Sequence, residues 1–115
     1  MAVLGTFVGN VAIPVTLNLA GTSLTDLVTA ADDSITSASI SFANDSGGSV
    51  NCYIYWYQAR TATDFMIWVG AVASKTTVTV SDIPIRLAEG DKIKVIGAVS
   101  VRATSINMLN YALSR

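Results

Sequence analysis

The sequence predicts an all-β domain, an antiparallel sandwich or barrel of about eight strands, and three observations predict it. Apolar and polar residues alternate with period two through most of the chain. Turn-forming residues recur at intervals of about 8–12 residues. No segment sustains the i, i+3, i+4 spacing of a helix over helical length.

The elements follow in order. Val11, Ile13, Val15, Leu17 and Leu19 share one face of a first strand, with Ala12, Pro14, Thr16 and Asn18 on the other. Pro14 lacks a backbone donor, so this strand belongs at a sheet edge or forms an arm reaching another subunit. Residues 1–20 are therefore set apart as an N-terminal strand or inter-subunit arm, and residues 21–115 as the sandwich domain. LTDLVT (24–29) reads as a short strand, although Leu24, Leu27 and Val28 also match one helical turn. ITSASISFA (35–43) alternates with Ala38, Ile40 and Phe42 inward, and NDSGGS (44–49) supplies turn chemistry for a hairpin into the strand 50–57. FMIWVGAV (65–72) is apolar on both faces, Phe65, Ile67 and Val69 opposite Met66 and Trp68, as in a strand covered on both sides.

TTVTV (76–80) and IPIRL (83–87) are short alternating pieces, and Pro84 implies an edge or a bend. Glu89, Gly90 and Asp91 turn the chain into KIKVIGAV. The closing segment 104–113 sets Ile106 and Met108 against Asn107, Leu109, Tyr111 and Leu113, two half-apolar faces.

Composition narrows function. At 115 residues the chain is one domain. Charged residues make up 13%, about half the ~25% of soluble domains, so a large uncharged surface is expected to rest against something. Seven bases against eight acids give a net charge of −1, which neither attracts nucleic acid nor repels further copies of the chain. A single cysteine, Cys52, excludes an intrachain disulfide framework. The first twenty residues carry no Lys or Arg and are interrupted by Pro14 and polar residues, unlike a secretory signal or a membrane-spanning helix. They read as mature protein, and no membrane partner is expected.

Catalytic machinery is not apparent. Histidine is absent, so neither a Ser-His-Asp nor a Cys-His pair can be built. Cys52 lies in an alternating strand and reads as a packed residue. Asp32 and Asp33, the only adjacent acids, point apart on a strand or are solvated in a turn. The oxygens of Asn44-Asp45-Ser46 or Asp32-Asp33-Ser34 are too few for calcium. Asn44-Asp45-Ser46 also matches the glycosylation pattern, and Gly47-Gly48 has no following helix or Lys to make a phosphate loop. No catalytic, cofactor or metal residue is assigned, and the chain is expected not to be an enzyme.

CYIYWYQ (52–58) carries the most information. Alternation puts Tyr53, Tyr55 and Tyr57 on one face and Cys52, Ile54 and Trp56 on the other. The second face suits the core. The tyrosines either cover the outer sheet, meet a neighbouring subunit, or form a stacking platform for sugars or bases. As candidate subunit-interface residues we take Tyr53, Tyr55, Tyr57 and Trp68, with Val11, Ile13 and Val15 of the arm.

SITSASISFANDSGGSVNCYIYW (34–56) and IPIRLAEGDKIKVIG (83–97), the latter with Leu87, Gly90, Asp91, Ile93 and Val95 as L-x-x-GD-x-I-x-V, resemble small virion structural proteins of tailed bacteriophages. The resemblance spans residues 20–113; Ala31-Asp32-Asp33 departs from it, because such proteins often carry Pro and Gly there. It implies a jelly-roll-like β-sandwich located in the virion and without an active site. The leading expectation is a capsid decoration (cement) protein that self-associates, with a trimer favoured, and binds the major capsid protein or another virion protein. A neck, tail or fibre-associated subunit is the alternative within that group. A jelly-roll carbohydrate-binding module using Tyr53, Tyr55 and Tyr57 is the alternative of another class.

Overall fold

The computed structural model of the chain describes residues 10–31 and 35–109. Among these it forms ten strands: β1 (Asn10–Val11), β2 (Val15–Asn18), β3 (Thr25–Thr29), β4 (Ile35–Asn44), β5 (Val50–Gln58), β6 (Thr63–Val72), β7 (Thr76–Val80), β8 (Ile85–Leu87), β9 (Lys92–Ile96) and β10 (Val101–Leu109). They make two antiparallel sheets. In sheet A, β10 and β4 lie side by side at the centre, β1 and β2 both run along the free side of β10, and β7 and β8 both run along the free side of β4. Sheet B has the order β3-β9-β5-β6. Each pair of short segments is one interrupted edge strand, so the chain fills about eight strand positions. Pro14 falls in the first interruption and Pro84 in the second. Both prolines thus sit at sheet edges, where a missing donor costs no ladder bond.

Consecutive strands mostly change sheets, and the one two-strand hairpin among the described residues is β5–β6, with Ala62 N donating to the Ala59 carbonyl at 3.2 Å in its turn. This corrects the hairpin expected at NDSGGS, where the chain crosses from β4 in sheet A to β5 in sheet B. Asn44 directs the crossing. Its buried Nδ2 donates to the carbonyls of Gly48 and Val72, both at 2.9 Å, and its Oδ1 accepts from Ser46 N at 2.9 Å and Ser46 Oγ at 2.7 Å. One side chain at the end of sheet A therefore holds the end of β6 in sheet B, which a tight hairpin would not allow.

Of three bulges among the described residues, those in β4 and β6 reset which predicted residues face inward. Ser39 pairs with Ile106 but Ser37 with Asn107, leaving Ala38 as the extra residue. Ile40 and Phe42 face the core as expected; Ala38 is half-buried, and Ser37 takes the buried position. Ser37, Ser105 and Asn107 then form a buried polar cluster, with hydroxyl oxygens 3.3 Å apart and Ser105 Oγ donating to Asn107 Oδ1 at 2.7 Å. In β6, Ile54 pairs with Trp68 but Tyr55 with Met66, so Ile67 is the extra residue. The face grouping expected for 65–72 breaks there. The strand is also not covered on both sides, because it is an edge strand with Phe65, Met66 and Val69 exposed.

The core fills the space between the sheets with Phe42, Cys52, Ile54, Leu87, Ile93 and Val95, all fully buried. Trp68 reaches across it to stack on Phe42, with ring centroids 5.8 Å apart and planes 13° apart. The ring can lie there because residue 70 is glycine: a Cβ at Gly70 would stand 2.6 Å from Trp68 Cζ2.

Candidate subunit interface on the outer face of sheet B

Alternation along β5 divides its side chains as expected. Cys52 and Ile54 are fully buried, and Trp56 packs against the core. Tyr53, Tyr55 and Tyr57 lie on the outer face, each half-buried. Their neighbours are set by strand order. Tyr53 stands between Val69 and Ile96, Tyr55 between Met66 and Lys94, and Tyr57 between Asp64 and Lys92.

The two ends of the row differ. At the Tyr57 end, Lys92 pairs with Asp26 and Lys94 with Asp64, each at 3.1 Å. Both ammonium groups also lie over the Tyr57 ring, Lys94 Nζ at 4.5 Å and Lys92 Nζ at 5.6 Å from its centroid, within cation–π range. At the Tyr53 end no charge intervenes. Met66 is 53% and Val69 50% exposed, beside Tyr53, Tyr55 and Ile96. This is an apolar area with tyrosine hydroxyls around it, the composition found at the centre of protein interfaces.

Sheet A presents a different outer face. Thr16, Thr104, Ser41 and Thr79 stand in one row across β2, β10, β4 and β7. Thr16 and Thr104 share a hydrogen bond of 3.0 Å, and Arg102 Nε donates to Asn18 Oδ1 at 2.9 Å. The low charge of the chain thus has two structural origins. Hydroxyls line the middle of sheet A, with Ile106 and Met108 part-exposed toward its β1 end, and sheet B carries the apolar area around Tyr53.

The remaining predicted residues distribute as follows. Trp68, grouped with the interface candidates, turns inward onto Phe42 and does not join the tyrosines. Ile13 and Val15 are exposed, at 88% and 39%, but along the β1/β2 edge of sheet A, so the fold does not bring them to the tyrosine row. The backbone of Val11 pairs with Met108; its side chain, residues 1–9, the pair Asp32 and Asp33, Tyr111 and Leu113 lie outside the described residues. Met66, Val69 and Ile96 stand beside the tyrosines and are not among the predicted candidates. For Met66 and Val69 the signal was the doubly apolar stretch 65–72, and for Ile96 the alternating KIKVI, but which of their sides stays uncovered is decided by the sheet order.

Other candidate groups are occupied structurally. Burial pushes the Cys52 thiol up to about 11, leaving a neutral sulfhydryl without nucleophilic character at neutral pH. The Asn44 amide is buried and committed to two carbonyls, which removes it as a glycosylation acceptor. An open groove of about 470 Å³ at the end of the sandwich is lined by Asn18, Asp45, Ser100 and Arg102. Its charged groups are held within the chain: Arg102 by Asn18, and Asp45 by Lys75 at 2.9 Å, whose hydrogen bond and charge lower the Asp45 pKa.

Asp91, which the sequence places in a turn, is 3% exposed and organises the turn between β8 and β9. Its Oδ2 accepts from Trp56 Nε1 and Ala88 N, both at 3.2 Å, and its Oδ1 accepts from Ala59 N at 3.0 Å. Gly90 precedes it with φ +84°, a left-handed conformation that glycine adopts without strain. Leu87, Ile93 and Val95 around this turn are fully buried. Each residue of L-x-x-GD-x-I-x-V therefore has a folding role.

No protein-family model matches the sequence, and no curated protein matches it. Among solved structures, the chain is similar to the globular domain of zebrafish complement 1qA protein, at 11% identity and TM-score 0.54, over 87% of this chain and 97% of that one. It is also similar to Eiger TNF from S. frugiperda, at 9% identity and TM-score 0.49, over 95% and 96% of the two chains. With two antiparallel sheets of orders β1/β2-β10-β4-β7/β8 and β3-β9-β5-β6, this chain is a jelly-roll β-sandwich.

Proposed function

We propose that this chain is a virion structural protein of the capsid-decoration type, without catalytic activity, which self-associates and seats on the outer lattice of a major capsid protein. The observation that carries self-association is the uncharged end of the sheet B outer face, where Tyr53, Tyr55, Met66, Val69 and Ile96 adjoin. Apolar area of this kind is stabilised by removal from water at about 25 cal/mol per Å². The hydroxyl row Thr16, Thr104, Ser41 and Thr79 on sheet A gains nothing comparable from a partner and suits solvent. The assignment to a virion rests on the sequence resemblance over residues 20–113.

Native mass spectrometry of the purified protein, followed by co-sedimentation with empty shells, tests the reading. An oligomer that co-sediments is the expected result; a monomer with no affinity for shells overturns it. High copy number per particle separates decoration from a neck or tail position, where a single ring is needed. A carbohydrate-binding role is less well supported, because two lysines cover Tyr57 and only Tyr53 and Tyr55 remain for stacking.

A further inference from the structure

An antiparallel sandwich has four edges, and any edge that is long, uncharged and free of proline is a template for another strand. Three of the four are blunted here. The β1/β2 edge is interrupted at Pro14, and the β7/β8 edge between Val80 and Ile85, where Pro84 lies. The β3 edge is five residues long, has a register break between Asp26 and Val28, and carries Asp26 paired to Lys92. The fourth, β6, is ten residues long, with a bulge of its own at Ile67 that leaves residues 68–72 as its regular stretch, and pairs only with β5 among the described residues. It has no proline, and its one charged residue, Asp64, sits near the start and is engaged by Lys94.

We infer that β6 is the contact through which two copies of this chain join, strand to antiparallel strand across a two-fold axis, extending sheet B from four strands to eight. This inference rests on the self-association proposed above and specifies its surface and symmetry. Beyond the Ile67 bulge, residues 68–72 alternate regularly, with Val69 and Ala71 outward and Trp68, Gly70 and Val72 inward. A two-fold centred on Val69, Gly70 or Ala71 sets outward residues opposite outward ones and inward opposite inward, so both copies keep their faces in register.

The occupant is a second copy for two reasons. Residues 65–72 carry no charge, so the strand meets itself without repulsion, and the whole chain has a net charge of only −1. The outward residues Met66 and Val69 adjoin Tyr55 and Tyr53, so pairing would fuse two apolar areas into one across the new sheet. A contact of one strand and its flanking side chains falls at the small end of specific interfaces, below about 1,200 Å², so the dimer depends on concentration. A trimer would have to be held by a different face, since a self-complementary contact joins copies in pairs.

The test uses the full chain in three cysteine variants, Val69→Cys, Ala71→Cys and, as a control on the sheet A face, Thr79→Cys. Cys52 is buried and gives no background in the folded protein. Oxidation or a short bis-maleimide should link Val69→Cys or Ala71→Cys into dimers at least tenfold faster than Thr79→Cys, and Val69→Lys should halve the native mass. If the wild type is oligomeric but neither β6 cysteine links and Val69→Lys leaves the mass unchanged, the β6 contact is wrong while self-association stands. A monomeric wild type at all concentrations overturns both.

Discussion

Asp91 shows how one buried carboxylate can fix a turn in an otherwise apolar setting. It satisfies three donors drawn from the start of its own turn, the end of β5 and the Trp56 indole, so it joins two segments of sheet B that are distant in sequence. Asp91→Ala removes the acceptor of those donors and should lower unfolding free energy by about 2–3 kcal/mol, measured by urea denaturation. Cys52 contributes a pH dependence. Its folded pKa, about 11, lies above the 9.0 of a free thiol, so the unfolded chain loses its proton first. The contribution of the neutral thiol is complete below pH 9 and is lost as pH rises toward 11. Urea midpoints of the wild type should fall over that interval, and Cys52→Ala should show a smaller fall. Residue types alone placed Cys52 in the core and Asp91 in a turn; the three donors on Asp91 come from segments whose proximity only the fold establishes.

At the scale of the element, β6 combines an edge position, a bulge and the Trp68–Phe42 stack that spans both sheets. Gly70 makes the stack possible, so Gly70→Val should displace the indole and cost about 1–3 kcal/mol, with loss of the near-ultraviolet dichroism of the stacked rings. Alternation made β4, β5 and β9 legible in the sequence, together with the outward face of the tyrosine row. It failed at Ala38 and Ile67, where one extra residue exchanges the two faces and no glycine or proline marks the place. The turn residues of 44–49 announced a reversal but not its destination, which depends on the Asn44 amide reaching Val72. Of the candidate site, Tyr53, Tyr55 and Tyr57 were readable. Their neighbours Val69, Met66, Ile96 and Lys94 were not, because strand order decides which residues stand beside a given ring.

Across the whole molecule, the two outer faces differ in chemistry: one has a row of hydroxyls across its middle, and the other grades from paired charges at Tyr57 to apolar side chains at Tyr53. The strand order carries a further consequence. The two latest of the described strands, β9 and β10, are interior strands of sheets B and A respectively, and among the described residues β1, β2 and β3 pair with nothing else. During synthesis the first strands must therefore wait, unpaired, for residues 92–109 to emerge, while the β5–β6 hairpin is free to close early. The order in which pairings become possible during synthesis therefore departs from the order of the chain: the middle hairpin can close first, and the N-terminal strands gain partners last.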